Sequence, residues 1–172
     1  GPSLEDLLNF CGGKFSWKTA LMLFLQAVNK LEGIHKSGIM HGDIRPDNMM
    51  MGLRKSSNSL YFVDFGLAQS VRNENKHIKF EHNIKSYASC RYASIHAHMG
   101  FRQSRRDDMI ALGYTIIYFI RGSLPWQGLE QGEEGKSEFF EKVAAKKRQC
   151  TNYVLCQDCP IVLKHYMHYV SQ

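Results

Sequence analysis

Between Ser16 and Gly38 apolar side chains recur at three and four residues, at Leu21, Phe24, Leu25, Val28, Leu31 and Ile34. That is the period of a helix burying one face. Ser16 stands where an N-cap belongs, since its hydroxyl can accept from an orphan backbone N–H, and Gly38 gives the stop. A shorter helix is expected over Leu4–Phe10, ended by Gly12-Gly13. Past Gly38 the period is lost. Residues 48–51 and 60–63 are apolar runs of strand length, and the polar stretch Arg54-Lys55-Ser56-Ser57-Asn58-Ser59 between them makes a hairpin. Residues 67–89 show no sustained period, which predicts a long irregular loop, and such loops in compact domains are usually functional. Residues 106–120 are apolar almost all round, as suits a helix through the middle of a domain, and end at Gly122-Ser123-Leu124-Pro125-Trp126. Residues 136–147 place Phe139, Phe140 and Val143 on one side of a further helix, and Pro160 opens a last one with Ile161, Leu163, Tyr166, Met167 and Val170. The pattern is α+β: mainly helical, with one short hairpin.

With 172 residues, no internal repeat and no linker, the chain fits a single domain able to bury a real core. A net charge of +6 favours acidic or phosphorylated partners. Lys and Arg are scattered, without interleaved aromatic residues, so no nucleic-acid partner is expected. The most apolar run, 111–120, is broken by Gly113 and Thr115 and is too short for direct membrane insertion. The first residues lack an apolar signal region, and five cysteines, an odd number, suggest reduced thiols in the cytoplasm or nucleus of a monomeric protein.

The chemistry-bearing stretch is Ile39-Met40-His41-Gly42-Asp43-Ile44-Arg45-Pro46-Asp47-Asn48, followed by Asp64-Phe65-Gly66 after the apolar run Leu60-Tyr61-Phe62-Val63. Asp43 and Asn48 stand five apart on a segment too rich in Pro, Gly and Asp to be a helix. An Asp, an Asn and a second Asp on adjoining turns make an oxygen-rich site for Mg²⁺ beside a general base. The order and spacing resemble the catalytic loop H-R-D-x-x-x-x-N followed by D-F-G of protein kinases. On that reading Asp43 takes the proton of the substrate hydroxyl, Arg45 sets a cation near the γ-phosphate of ATP, and Asn48 and Asp64 hold Mg²⁺. Gly66 turns the backbone beside the metal, and Asp47 joins Asp64 and Gly66 on the nucleotide side. His41 is expected to pack against the loop backbone rather than act as a base, and His35 to satisfy a carbonyl at its helix end. Lys146-Lys147-Arg148 is expected to be a solvated helix end, and Cys156-Gln157-Asp158-Cys159 a turn with reduced thiols rather than a zinc site.

Further stretches narrow the resemblance. Gly1-Pro2-Ser3-Leu4-Glu5-Asp6-Leu7, Arg91-Tyr92-Ala93-Ser94-Ile95, Ser104-Arg105-Arg106-Asp107-Asp108 and Gly122-Ser123-Leu124-Pro125-Trp126-Gln127-Gly128-Leu129 are similar to the casein kinase 1 family. That family implies a Ser/Thr protein kinase preferring acidic or already phosphorylated protein substrates, with Arg91 on its anion site and Asp108 bracing the catalytic loop. Its fold implies that residues 1–172 are most of the helical C-terminal lobe, from the hinge onward, because no Gly-rich loop, strand Lys or helix Glu appears ahead of Gly1. Such a piece is expected to expose apolar faces and to be poorly soluble and incompetent by itself. The alternative function is a pseudokinase or truncated paralogue serving as a protein-binding module. Departures from the family are Gly42 for Arg, which removes a cation and loosens the loop, and Arg45 for Lys, a planar fork for a compact ammonium. Tyr87-Ala88-Ser89-Cys90 replaces Thr-Gly-Thr-Ala, His96 replaces Asn, and Glu130-Gln131-Gly132-Glu133-Glu134 replaces a basic stretch, which should weaken the taste for acidic substrates.

Overall fold

The most apolar stretch of the sequence becomes the axis of the fold. The computed structural model describes residues 1–73, 76–79, 81–82, 89–129 and 136–172. Within it every residue from 110 to 120 of helix α4 (Arg105–Arg121) is buried, and Gly122 closes the helix at φ 75°. Positive φ costs glycine nothing, which is why the helix stops there.

Helices α2 (Trp17–Lys36) and α7 (Ile161–Val170) pack on α4. Ser16 caps α2, its Oγ accepting from Thr19 N at 3.1 Å. The buried face of α2 is Ala20, Leu23, Phe24, Ala27, Leu31 and His35, whereas Leu25 is 64% exposed. The face is thus turned from the one the large apolar residues suggest. Small Ala20 and Ala27 belong on the side where two helix backbones approach. The edge of Phe24 meets Tyr166 of α7, ring centroids 4.8 Å apart. Ahead of α2, helix α1 (Leu4–Phe10) begins in a reciprocal cap: Asp6 N donates to Ser3 Oγ at 3.0 Å and Ser3 N to the Asp6 carboxylate at 3.1 Å.

The strands are short. β1 (Ile39–Met40) pairs with β4 (Gln69–Ser70), β2 (Met49–Met51) with β3 (Leu60–Phe62), and β5 (Arg72–Asn73) with β6 (Lys76–His77), all antiparallel. The β2–β3 hairpin is as expected, except that Asn48 lies in a 3₁₀ turn, Pro46–Asn48, and Val63 falls just past the end of β3. Gln26 of α2 holds the hairpin, accepting from Leu60 N at 2.9 Å and donating to Asn58 O at 3.1 Å. The stretch 67–89 is not irregular throughout, since β4 to β6 occupy its first part. Two-residue strands leave no sequence period, and the partner of β4 lies about thirty residues upstream.

Besides α7, the remaining described α-helices are the single turn α3 (Ile95–His98), α5 (Lys136–Gln149) and α6 (Asn152–Leu155). The single turns α3 and α6 are too short for periodicity to announce, though Ser94 and Thr151 cap them through Ala97 N and Val154 N. Among the described residues no helix is long and apolar enough to cross a membrane. Cys156 and Cys159 sit on a turn in which Cys159 N donates to Cys156 O at 3.1 Å. Burial pushes both thiols up, Cys156 to about 11, which disfavours the thiolate a metal would need.

Candidate active site

Asp108 organises the loop 41–48 from the side of α4. It is 2% exposed, and its two oxygens accept from His41 N and Gly42 N, both at 2.8 Å. His35, at the end of α2, brings Nε2 to 2.8 Å from the same carboxylate. A carboxylate offers only acceptors, so Nε2 carries the proton. His35 therefore braces Asp108 across the helix pair and does not satisfy a carbonyl of its own helix. The neighbouring Asp107 faces the other way, accepting from Ser104 N at 2.7 Å and from Ser94 Oγ at 2.6 Å.

Fully buried His41 links the two acidic turns. Its Nδ1 lies 3.3 Å from Asp43 N and its Nε2 3.0 Å from Val63 O. One nitrogen accepts and the other donates, so the ring is a neutral strut, as its packing role required. Val63 N in turn donates to Asn48 O at 3.0 Å. The residue ahead of Asp64 is therefore tied from both ends of the loop that carries Asp43 and Asn48.

Gly42 is not a loose point. Its φ is 82°, and a Cβ there would lie 2.5 Å from Leu67 O, so the backbone of the second turn occupies the space a side chain would need. Gly42→Ala should destabilise the protein by about 1–3 kcal/mol through strain and contact, seen as a lower urea midpoint with unchanged slope.

Asp43 accepts from Asn48 Nδ2 at 2.9 Å and from Ser89 N at 3.3 Å. Asn48 Nδ2 also donates to Asp43 O at 2.9 Å, so both donors of that amide are spent and its oxygen is the end left for a ligand. Arg45 Nε lies 3.4 Å from Asp43 and 3.8 Å from Asp47, charged contacts not aligned as hydrogen bonds, and Asp47 is half exposed. Asp64 itself takes φ 61°, a conformation Asp tolerates better than most residues, and accepts from Gly66 N at 3.1 Å. Gly66 has no positive φ. Its value is space, since a Cβ would sit 3.0 Å from Asp64 Oδ1. The turn expected of Gly66 is made by Asp64.

Arg91 shares a cavity of about 460 Å³ with Arg45, Asp47, Ser89, Trp126 and Phe139. Its guanidinium lies 5.8 and 5.7 Å from the ring centres of Tyr92 and Tyr118. Close by, Glu5 is pushed up by burial and by Asp47, with Arg91 pulling the other way. One residue here was missed by sequence reasoning: Lys147 on α5 is 3% exposed, while Lys146 and Arg148 beside it are exposed. It lies on the side of α5 that carries buried Val143, so the helix end is solvated on one side only. Tyr87, Ala88 and the acidic stretch from Glu130 to Glu134 lie outside the described residues.

The two turns present carboxylates and an amide oxygen over a helical body, braced from α4. The protein kinase domain family model matches residues 1–167, and the chain belongs to that family of ATP-using transferases.

Proposed function

We propose that this chain is the large lobe of a casein kinase 1-type Ser/Thr kinase, moving the γ-phosphate of ATP to Ser or Thr hydroxyls of protein substrates. The observation that carries this reading is the geometry around Asp43. A carboxylate fixed by Asn48 and by Ser89, with Arg45 3.4 Å away, can accept a hydroxyl proton, while Ser89 and Arg45 also line the neighbouring cavity where Arg91 faces a phosphate.

The donor set suits Mg²⁺ shared with a nucleotide. Among the described residues no group of three His, Cys, Asp or Glu side chains could hold a metal unaided, and Mg²⁺ commonly takes one or two protein oxygens plus phosphates. Asn48 Oδ1 and Asp64 are the residues that would hold it, and it would neutralise phosphate charge during transfer. Asp47 and Gly66 flank them on the nucleotide side. Arg91 is assigned to an acidic or already phosphorylated residue of the substrate, and the protein works as a monomer in the cytoplasm or nucleus.

The test is transfer of labelled phosphate from ATP to Ser peptides by the full-length protein. Label on Ser supports the reading, and its absence with Mg²⁺ and ATP at saturation removes it. Replacing Glu133 and Glu134 by Lys should lower KM for a phospho-primed peptide several-fold, the scale of rim charges in binding. An unchanged KM would show that these acids do not set substrate preference.

A further inference from the structure

The buried ammonium of Lys147 is bonded to the backbone turn that carries Arg91. Its Nζ reaches Ala93 O at 2.6 Å, Cys90 O at 2.9 Å and His98 Nε2 at 3.1 Å. The same ammonium sits 5.0 Å from the ring centre of Trp126 and 5.2 Å from that of Tyr114. Trp126 adds a second tie, its Nε1 donating to Arg91 O at 2.7 Å. Three of the four carbonyls from 90 to 93 are thus held from α5 and from the 122–126 turn. Both Tyr92 N and Ala93 N close the turn onto Ser89 O, at 3.0 and 2.9 Å, and Ser89 N contacts Asp43. A continuous chain of bonds runs from Lys147 to the carboxylate of Asp43.

We propose that Lys147 is a positioning residue that clamps the 89–93 turn, fixing where Arg91 meets an acidic substrate and where Ser89 holds Asp43. The inference rests on the kinase reading for its substrate and on geometry alone for the clamp. A buried charge is costly unless its donors are satisfied. Here three N–H groups meet three acceptors and two aromatic faces, so the charge is used on one backbone turn.

The clamp should weaken as the ammonium loses a proton, because a neutral amine donates twice and turns a lone pair on the third acceptor. Burial pulls Lys147 down to about 7, with Cys90 opposing. The facing groups are the Cys90 thiol, pushed up by burial, His98, held down to about 3 and so neutral, Tyr114 on α4, pushed up, and Arg148 on α5. Among these groups Lys147 is the one whose charge changes near neutrality.

The experiment uses the full-length protein and a Ser peptide flanked by Asp and Glu, whose charges hold from pH 6 to 9. In the native protein KM should rise with pH through about 7 while kcat changes less. Lys147→Met should raise KM at pH 6 about ten- to a hundredfold, the scale of a lost charged hydrogen bond, and abolish its pH dependence. It should also speed hydrogen exchange at the Tyr92 and Ala93 amides without affecting the middle of α4. If Lys147→Met does not fold, Trp126→Phe, which keeps a ring but frees Arg91 O, should speed the same two amides. Native exchange at these amides together with an unshifted pH profile would overturn the clamp. If no Ser peptide is phosphorylated at all, the kinase reading fails, and the exchange rates still decide the clamp.

Discussion

Asp43→Asn should lower phosphate transfer by about 10²–10⁴-fold while leaving the protein folded, because it deletes a general base and little else. Asn matches the shape of Asp and keeps one acceptor oxygen. Asp43 receives hydrogen bonds from Asn48 Nδ2 and Ser89 N, and an amide can serve only one of them, since its other end is a donor. The structural cost is therefore one hydrogen bond to a charged group together with the charge contact to Arg45, about 1.5–3 kcal/mol. Measured together, kcat and the urea midpoint separate the two effects. A large drop in kcat with a midpoint lowered no further than that cost explains identifies Asp43 as the base. A kcat within threefold of native would remove it from the chemistry.

Asp108→Ala has the opposite signature, a loss of stability first and of activity through it. The carboxylate is buried and receives His41 N, Gly42 N and His35 Nε2, each at 2.8 Å. Removing it strands three buried donors, which should cost about 3–5 kcal/mol. Domains of this size hold only about 5–15 kcal/mol, so the variant should melt far earlier. His35→Ala removes one donor together with part of the reason for the charge, and should cost less. If Asp108→Ala had a native melting temperature, the loop would not depend on α4, and the bracing described here would be wrong.

How much of this was legible beforehand depended on distance along the chain. The catalytic loop, the Asp64 turn, the capped helices and the β2–β3 hairpin are local. Their determinants, such as Ser16 before Thr19 or the spacing of Asp43 and Asn48, lie within a few residues of each other. The packed role of His41 was also expected, and its bonds to Asp43 N and Val63 O supply it. The bracing by Asp108 came from resemblance, and the structure supplies its two backbone donors.

Long-range choices were not legible. Lys147 stands four residues after Val143 and Lys146 does not, but its charge outweighed that spacing. Burial depends on which side of α5 meets the 89–93 turn, some fifty residues upstream. His35 read as the end of a helix because its partner is on another helix, 73 positions away. Gly42 read as slack because the Leu67 carbonyl that fills its side-chain space comes from the next turn. The small residues Ala20 and Ala27 were passed over because periodicity weighs size and apolarity, whereas close helix contact selects for lack of bulk.

By itself, then, the sequence determined the longer helices, the cap of α2, the β2–β3 hairpin, and which oxygen-bearing side chains stand at the spacing of a phosphotransfer site. The tertiary structure alone decided which charges are buried, which glycines are crowded, and how Arg91 is held over the cavity. Hydrogen-bond caps and hydrophobic periods act over one or two turns. The burial of an ammonium or a carboxylate is set by groups that meet only after the chain has folded.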